Sequence, residues 1–277
     1  MLSYRHGFHA GNHADVLKHV ILVLVLDYLT RKDKPLWYVD THAGAGVYAL
    51  DRGYATRLAE HTDGIGRLWN AAPLPEPIAR YVALVRDLNG NGALARYPGS
   101  PWFARRLLRR EDRLWLYELH PADQRALTSA IGGRNVRVAR EDGLAALRGR
   151  LPPQPRRALT LIDPPYEVKG DYAAVPAALG EALERFPQGT YLIWYPQIAH
   201  PAASRLPEQL QSLNAESWLD ARLRVRAADA PGMYGSGLFV INPPYTLPGA
   251  LEDTLPALVA LLGQDDGAGY GLDWQIV

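Results

Sequence analysis

Residues 158–166 read Ala-Leu-Thr-Leu-Ile-Asp-Pro-Pro-Tyr, a short apolar run that ends in a proline-stiffened turn. Such a run predicts a buried β-strand. The carboxylate of Asp163 and the main-chain carbonyl of Pro164, held by the rigid proline backbone, can together accept both hydrogens of a planar exocyclic amine. The ring of Tyr166 can cover the flat heterocycle that bears this amine. The segment therefore indicates chemistry on a nucleobase, and its structural alternative is a rigid turn without a ligand.

Four apolar segments each lead to an acidic residue, with helical patterns between or after them. They are residues 36–40, 114–118, 136–142 and 159–163, which end at Asp40, Glu118, Asp142 and Asp163. This order predicts an α/β fold with a doubly wound, Rossmann-like sheet, whose ligands bind at the carboxyl ends of parallel strands. Three further candidate strands, at 190–195, 222–227 and 238–242, bring the mostly parallel sheet to seven strands.

One interval is too long for a single strand–helix unit. Glu118, Asp142 and Asp163 follow one another at roughly the 20-residue spacing of such units, whereas Asp40 and Glu118 are much farther apart. Residues 48–97 fill this interval and show helical apolar spacing. We predict an inserted helical subdomain at 48–97, and a main domain formed by 1–47 and 98–277. Ser100 and Pro101 are the expected N-cap and first residue of the next helix.

The composition is that of an ordinary globular protein, because 48% of the 277 residues are hydrophobic and 21% are charged. The absence of cysteine excludes disulfides, thiolate nucleophiles and cysteine-ligated zinc, and suits a reducing cytoplasm. The longest apolar run, residues 20–26, is too short for a membrane span and is interpreted as a core helix. Because no signal-peptide pattern precedes it, we expect a cytoplasmic protein.

The net charge of +1 argues against nucleic-acid binding that depends on a strong overall field. Arginines nevertheless cluster locally. A solvated surface and a phosphate-binding surface both fit these clusters. The clusters are Arg105, Arg106, Arg109 and Arg110; Arg134, Arg137 and Arg140; and Arg148, Arg150, Arg156 and Arg157.

Residues 39–46, Val-Asp-Thr-His-Ala-Gly-Ala-Gly, lead from a strand into a glycine-containing turn. Glycines let backbone amides approach a ligand closely. The turn is not a P-loop, since no Gly-Lys-Ser/Thr follows, and Ala49 interrupts a G-x-G-x-x-G pattern. Together with the next strand ends, it predicts a pocket in which Glu118 accepts two ribose hydroxyls and Asp142 with Gly143 meets an adenine edge. A tight turn without a ligand is the alternative.

Residues 4–19 contain four histidines, two cations and two aromatic residues. His9 and His13 have the spacing of a helical metal pair, but Gly11 and Asn12 between them disfavour a helix and no H-E-x-x-H occurs, so we predict no metal. We predict an arm that contacts nucleic acid and closes over a cofactor. The alternative is a helix N-terminus with polar capping residues and a solvated face.

Residues 241–245, Ile-Asn-Pro-Pro-Tyr, repeat the pattern around Asp163 with an amide in place of the acid. An amide oxygen can also accept from an amine. Asn242 comes far later in the chain, after strands expected to form an antiparallel edge hairpin. We therefore interpret Asn242 as structural.

Taken together, these residues resemble the ribosomal large-subunit RNA adenine N6-methyltransferase J family. The resemblance covers nearly the whole chain, and its two most specific segments are residues 2–6 and 9–19. The Asp-Pro-Pro-Tyr motif alone is shared by many amino-methylating enzymes. The other matching segments are residues 40–46, 97–101, 118–121 and 162–167.

The resemblance implies a seven-stranded class I methyltransferase that transfers a methyl group from S-adenosylmethionine to one adenine of 23S ribosomal RNA. It implies that Asp163 is the catalytic acceptor, next to Pro164 and Tyr166, and that Tyr4, His6 and Lys18 approach the RNA. The S-adenosylmethionine pocket implied by the resemblance comprises His19, His42, Ser100, Glu118, Asp142, Gly143 and Asp163.

Other functions use the same site chemistry. An adenine of DNA and the side-chain amide of a protein glutamine both present a similar flat amine, so methylation of either remains an alternative. An RNA-binding module with a relict pocket would keep the residues without the reaction, and a nicotinamide oxidoreductase is disfavoured by the glycine pattern. The partner expected is 23S ribosomal RNA, without membrane contact, metal or an obligate protein partner.

Overall fold

A computed structural model of the chain describes residues 6–53, 55–90, 92–213, 215–229 and 231–277. Tyr4, for which RNA contact is predicted, lies outside these residues. The described chain forms one large mixed sheet with helices on both faces and a separate two-stranded ribbon. Within the described residues, no helix combines the length and the apolar character that crossing a membrane requires.

The strands alternate with helices along most of the chain. The strands are β1 (Trp37–Asp40), β2 (Val47–Ala49), β3 (Arg96–Pro98), β4 (Arg113–Tyr117), β5 (Val136–Ala139), β6 (Ala158–Ile162), β7 (Thr190–Ile198), β8 (Trp218–Arg224), β9 (Met233–Ile241) and β10 (Gly269–Gln275).

The helices are α1 (His13–Leu29), α2 (Ala55–Leu58), α3 (Ile65–Trp69), α4 (Glu76–Leu88), α5 (Ser100–Leu107), α6 (Pro121–Ala130), α7 (Gly143–Arg150), α8 (Asp171–Arg185), α9 (Pro201–Gln211) and α10 (Leu247–Leu262). Short 3₁₀ helices span His6–Phe8 and Glu60–Asp63.

The large sheet has the order β10-β8-β9-β7-β6-β1-β4-β5. Strands β5, β4, β1, β6 and β7 run parallel to one another, whereas β9 pairs antiparallel with β7, and β8 and β10 continue the sheet by antiparallel pairing. The chain winds outward from β1 in both directions, which opens a ligand crevice at the carboxyl ends of the central strands. The predicted Rossmann-like α/β class is therefore confirmed.

The predicted count of seven strands is wrong, because β10 adds an eighth strand to the large sheet. Its sequence, Gly-Tyr-Gly-Leu-Asp-Trp-Gln, contains two glycines, and most of its residues are only partly buried or exposed. An edge strand with one free side needs no apolar run, so the pattern gives a weak signal. The predicted edge hairpin is also misplaced: β9 is antiparallel but lies between β7 and β8.

Helix α1 is the centre of one layer of the fold. Thirteen of its 17 residues are buried, and it packs against β9, α4, α5 and α10. A helix with apolar residues on all sides suits this position, since it is covered on both faces. The predicted core helix at residues 20–26 lies within it.

The described part of residues 48–97 contains three α-helices, and the segment begins and ends in the ribbon of β2 and β3, in which Val47 pairs with Pro98. Their buried side chains, including Ile65, Ile78 and Tyr81, belong to the same apolar cluster as α1. Gly64 packs so closely on the segment before α1 that an added Cβ would lie 2.0 Å from the carbonyl oxygen of Gly11. The helical content matches the expectation, and treatment of this segment as a separate subdomain stays a prediction.

Asp112 connects the amino ends of β1 and β4. Its side chain is fully buried and accepts hydrogen bonds from the Leu36 amide at 2.7 Å and the Arg109 amide at 2.8 Å. The Arg109 guanidinium also lies 3.0 Å from it. These contacts satisfy a buried carboxylate far from the carboxyl ends of the strands.

Replacing Asp112 with alanine should lower the free energy of unfolding by about 3 kcal/mol, because the buried donors lose their acceptor. Chemical denaturation followed by circular dichroism measures the change. The control is Asp87→Ala, which removes an exposed ion pair with Arg106 and should cost less than about 1 kcal/mol. Equal losses in the two variants would contradict this account of Asp112.

Candidate active site

A cavity of about 400 Å³ opens at the carboxyl ends of the parallel strands. Its size is within the range of small-molecule sites. The N-terminal segment with α1, the turn after β1, the ends of β4 and β6, and the start of α7 all contribute to its wall. The lining includes nine predicted site residues: His6, Lys18, His19, His42, Ser100, Glu118, Gly143, Asp163 and Tyr166.

The turn after β1 folds tightly against the end of β4. Gly44 and Gly46 adopt positive φ angles of 60° and 78°, which favour glycine. The amide of Gly44 donates to one oxygen of Glu118 at 2.9 Å, and the amide of His120 donates to the other at 2.7 Å. Burial raises the pKa of Glu118, while these two hydrogen bonds lower it. The carboxylate is thus fixed in orientation and keeps lone pairs for a ligand.

The first residue of helix α7 packs tightly against the backbone of the turn that follows β1. A Cβ added at Gly143 would lie 2.2 Å from the carbonyl oxygen of Thr41, so only glycine fits there. Asp142 is the N-cap of α7, and its side chain accepts from the amides of Leu144 at 2.9 Å and Ala145 at 3.2 Å. Gly143 lines the cavity, whereas the exposed Asp142 does not.

Asp40 is a completely buried carboxylate at the end of β1, behind the cavity-lining Ser100. It accepts hydrogen bonds from the hydroxyls of Ser100 at 2.6 Å and Tyr38 at 2.8 Å. Burial raises its pKa to about 6. The expected N-cap role of Ser100 is wrong, because Gly99 is the N-cap of α5 and the Ser100 hydroxyl is used by Asp40 instead.

Asp163 follows the last residue of β6 and pairs with a cation from the amino-terminal helix α1. The ammonium of Lys18 lies 2.6 Å from Oδ2 of Asp163 and 2.7 Å from Oδ1 of Asp15. Burial raises the pKa of Asp163, although Lys18 and His6 lower it. The Asp163 side chain is 13% exposed. Oδ1 of Asp163 accepts no hydrogen bond within the described part of the chain.

Comparison with known proteins assigns the family. The sequence model described as "Ribosomal RNA large subunit methyltransferase D, RlmJ" matches residues 33–276. The chain belongs to the RlmJ family. This confirms the resemblance found in the sequence.

Relatives and a solved structure agree with this assignment. The chain is 44% identical over 277 residues to "Ribosomal RNA large subunit methyltransferase J" of Haemophilus influenzae, covering 99% of both proteins. It is 45% identical over 260 residues to the Escherichia coli protein of the same name, covering 93% of both. A Legionella pneumophila protein of known crystal structure superposes with a TM-score of 0.89 at 36% identity, covering 96% of this chain and 98% of that one.

Two histidines of this RlmJ-family cavity are neutral at physiological pH. His19 is completely buried, its Nδ1 lies 2.8 Å from the Tyr97 hydroxyl, and burial lowers its pKa. Burial also lowers the pKa of His42 to about 4, and its Nδ1 lies 2.8 Å from the Thr41 hydroxyl. Neutral imidazoles add hydrogen-bonding capacity without adding positive charge to the cavity.

Only part of the predicted Asp163 motif reaches the cavity wall. Pro165 and Tyr166 line the cavity, whereas Pro164 is buried and does not. Tyr166 has a positive φ of 54°, and its hydroxyl donates to the Trp194 carbonyl at 3.0 Å. Its ring lies 4.7 Å from that of Tyr172, centroid to centroid. Stacking of Tyr166 on a base therefore stays a prediction, as does acceptance by the Pro164 carbonyl.

Asn242 lies at the end of the sheet opposite the cavity. Because β9 runs antiparallel to β7, its last residue, Ile241, pairs with Tyr191 near the start of β7. The Asn242 amide donates to the carbonyls of Pro187 and Gly189, both at 2.7 Å. These contacts fit the structural interpretation of this motif.

The arginine clusters do not line the cavity. Arg148 pairs with Glu181, and Arg157 donates to the Leu29 carbonyl at 2.7 Å. Arg134 and Arg157 precede β5 and β6, at the amino edge of the sheet. This placement fits surface side chains better than phosphate binding at the cavity.

The N-terminal arm is connected to the insertion by Glu60. The imidazole of His9 lies 3.0 Å from Glu60, and the Asn12 amide donates to the same carboxylate at 2.9 Å. Burial lowers the pKa of His13 to about 4. Across the residues that the structure describes, no group of three or more His, Cys, Asp or Glu side chains has an arrangement that could hold a metal ion.

The raised pKa of Asp40 predicts a pH-dependent effect of Asp40→Asn on stability. The favourable contribution of Asp40 is complete below about pH 4, near the ordinary aspartate pKa, and is lost as pH rises through its folded-state pKa of about 6. The variant lacks this loss. Its unfolding free energy relative to the unmodified protein should therefore increase by roughly 2 to 3 kcal/mol across this window. Urea denaturation at a series of pH values tests this, and a difference independent of pH would contradict it.

Proposed function

We propose that the protein transfers a methyl group from S-adenosylmethionine to the exocyclic N6 amine of one adenine in 23S ribosomal RNA. The observation that carries this proposal is the position of Asp163, which lies in the same cavity wall as Glu118 and Gly143 in a chain of the RlmJ family. A carboxylate at the end of a strand thus faces a site with the features of a nucleotide pocket.

The residues around the glycine turn fit S-adenosylmethionine. Glu118 has two fixed oxygens for the ribose hydroxyls, and Gly143 leaves space where any side chain would meet Thr41. Asp142 beside it is proposed to meet the adenine edge through its backbone, since its side chain caps α7. His19, His42 and Ser100 complete the proposed binding set. When bound, S-adenosylmethionine supplies an electrophilic methyl group on a sulfonium.

Asp163 polarises the target amine in the proposed mechanism. The lone pair of an aromatic amine is delocalised into its ring, so the nitrogen is a weak nucleophile. Acceptance of its two hydrogens by Asp163 and the Pro164 carbonyl favours a pyramidal nitrogen that can attack in line. On attack, the nitrogen would bond to the methyl carbon as the carbon–sulfur bond breaks and S-adenosylhomocysteine leaves, and the proton lost from the nitrogen is one that Asp163 is placed to take up.

Lys18 is proposed to act on Asp163 and not on a phosphate. Its ammonium lies between two carboxylates, and the side chain is only 5% exposed. It holds Oδ2 of Asp163 and so leaves Oδ1 for the amine. His6 is 22% exposed at the cavity and is the described residue better placed to approach RNA.

A ribosomal RNA substrate fits a cytoplasmic site of action, and we propose in addition that the reaction requires neither a metal nor an obligate protein partner. Tritiated S-adenosylmethionine, incubated with protein-free 23S RNA, ribosomal particles, duplex DNA and release factors, separates the possible acceptors. Incorporation into RNA, mapped to N6-methyladenine by mass spectrometry and missing from a strain without the protein, supports the proposal. Incorporation into DNA or release factor alone would overturn it.

Asp163→Ala should reduce methyl transfer by about 100-fold or more, because the amine loses its charged acceptor. Affinity for S-adenosylhomocysteine should be weakened at most slightly. The control is Asn242→Ala in the look-alike motif, whose rate per folded molecule should stay within about threefold of the unmodified protein. If both variants retained full activity, Asp163 would not be the acceptor.

Gly143→Ala should weaken S-adenosylhomocysteine binding by about tenfold or more, since the added methyl displaces the start of α7 from Thr41. Isothermal titration calorimetry measures the affinity. Gly149→Ala in the same helix is the matched control, because an added Cβ there meets nothing within 4 Å. It should leave binding unchanged and stabilise the helix slightly. Equal affinity in the two variants would contradict the proposed role of the α7 start.

A further inference from the structure

Asp15 is a buried carboxylate in the first turn of α1. Only 1% of the residue is exposed. Its position near a helix N-terminus favours a negative charge, but burial of an unpaired carboxylate is costly. The groups that surround Asp15 must therefore offset this cost.

Three groups contact the two oxygens of Asp15. Oδ2 lies 2.9 Å from Nε2 of His6 and accepts a hydrogen bond from the Gly11 amide, also at 2.9 Å. Oδ1 lies 2.7 Å from the ammonium of Lys18. Burial opposes ionisation, but the charges of His6 and Lys18 keep the pKa of Asp15 well below its ordinary value. Asp15 is thus a fixed anion that contacts two residues of the proposed site.

The position of Lys18 depends on both of its carboxylates. Its ammonium lies 2.7 Å from Asp15 and 2.6 Å from Asp163, so it is held from two sides. An ammonium has three donors and can satisfy both carboxylates at once. Without Asp15, Lys18 would keep one carboxylate partner and a buried, unsatisfied donor. It would then compete with the target amine for Asp163.

We propose that Asp15 is a positioning residue for methyl transfer, which fixes Lys18 on Oδ2 of Asp163 and so leaves Oδ1 open to the adenine amine. This inference rests on the proposed function, because it assigns Asp15 a part in that reaction. Asp15 acts through Lys18. Asp15 itself lines the cavity, but the role proposed for it requires no contact with substrate or methyl donor.

The test is Asp15→Asn, which keeps the shape of the side chain and removes its charge. The turnover rate kcat on 23S RNA should fall by about 10-fold to 100-fold, since misplacement of a reacting group by about 1 Å can cost up to about 100-fold in rate. Affinity for S-adenosylhomocysteine should change by no more than about threefold, because Glu118 and Gly143 are untouched.

Asp112→Asn is the matched control. Asp112 is also buried, accepts a backbone amide and pairs with a cation, but it lies away from the cavity. It should lower thermal stability without changing kcat of the folded enzyme. If Asp15→Asn lost only as much kcat as Asp112→Asn, the role of Asp15 would be structural and the inference wrong.

A double-mutant cycle tests whether Asp15 acts through Lys18. In a Lys18→Met background, Asp15→Asn should cause little further loss of kcat, because the residue it positions is already gone. Independent, multiplicative losses would overturn the inference. If Asp15→Asn does not fold, Asp15→Glu keeps the charge but displaces it by one methylene. A loss of kcat with unchanged S-adenosylhomocysteine affinity then supports the inference, and unchanged kcat opposes it.

Failure of this inference can be distinguished from failure of the proposed function. If the unmodified protein methylates no RNA, the proposed function fails. If the unmodified protein is active and Asp15→Asn is equally active, only the inference about Asp15 fails.

Discussion

The ion pair between Lys18 and Asp163 connects parts of the chain that are 145 residues apart in sequence. It joins the first helix to the end of β6, where the proposed chemistry takes place. A carboxylate buried there without a partner would be costly, and so would an isolated ammonium within α1. Asp163 therefore depends on Lys18, whose ammonium also pairs with Asp15, and the site is complete only when the amino-terminal helix is docked on the sheet. The same contact leaves one oxygen of Asp163 available, so the interaction that stabilises this carboxylate also orients the proposed acceptor of the amine.

Strand direction places two similar sequence motifs at opposite ends of the sheet. Asp163 follows a parallel strand and lies at the edge where ligands collect in a doubly wound sheet. Asn242 follows an antiparallel strand, so it lies at the other edge, and its amide is used by two backbone carbonyls. The backbone differs as well, because the left-handed residue is Tyr166 in the first motif and Asn242 in the second. The different roles proposed for the two motifs therefore follow from topology as much as from the residues of the motif.

Much of this arrangement could be predicted from the sequence where a local pattern has one structural outcome. The apolar run before Asp163, the glycine turn and the acids at strand ends lead to the α/β class and to the cavity. Other features depend on contacts between distant segments. Nothing local to Asp15 shows that it is buried between His6 and Lys18. Likewise, Ser100 has the sequence of a helix cap, but Asp40 uses its hydroxyl. The sequence does not predict strand β10, because an edge strand with glycines has no clear apolar pattern.

The central claim is that Asp163, held by Lys18, receives the amine of an adenine opposite the methyl donor. A crystal structure of the protein with S-adenosylhomocysteine and adenosine monophosphate tests it most directly. The account predicts that the N6 amine lies within hydrogen-bonding distance of Oδ1 of Asp163 and of the Pro164 carbonyl, on the side facing the sulfur, while Lys18 remains on Oδ2. An adenine amine bound elsewhere, or an Asp163 side chain turned away from the sulfur, would contradict it.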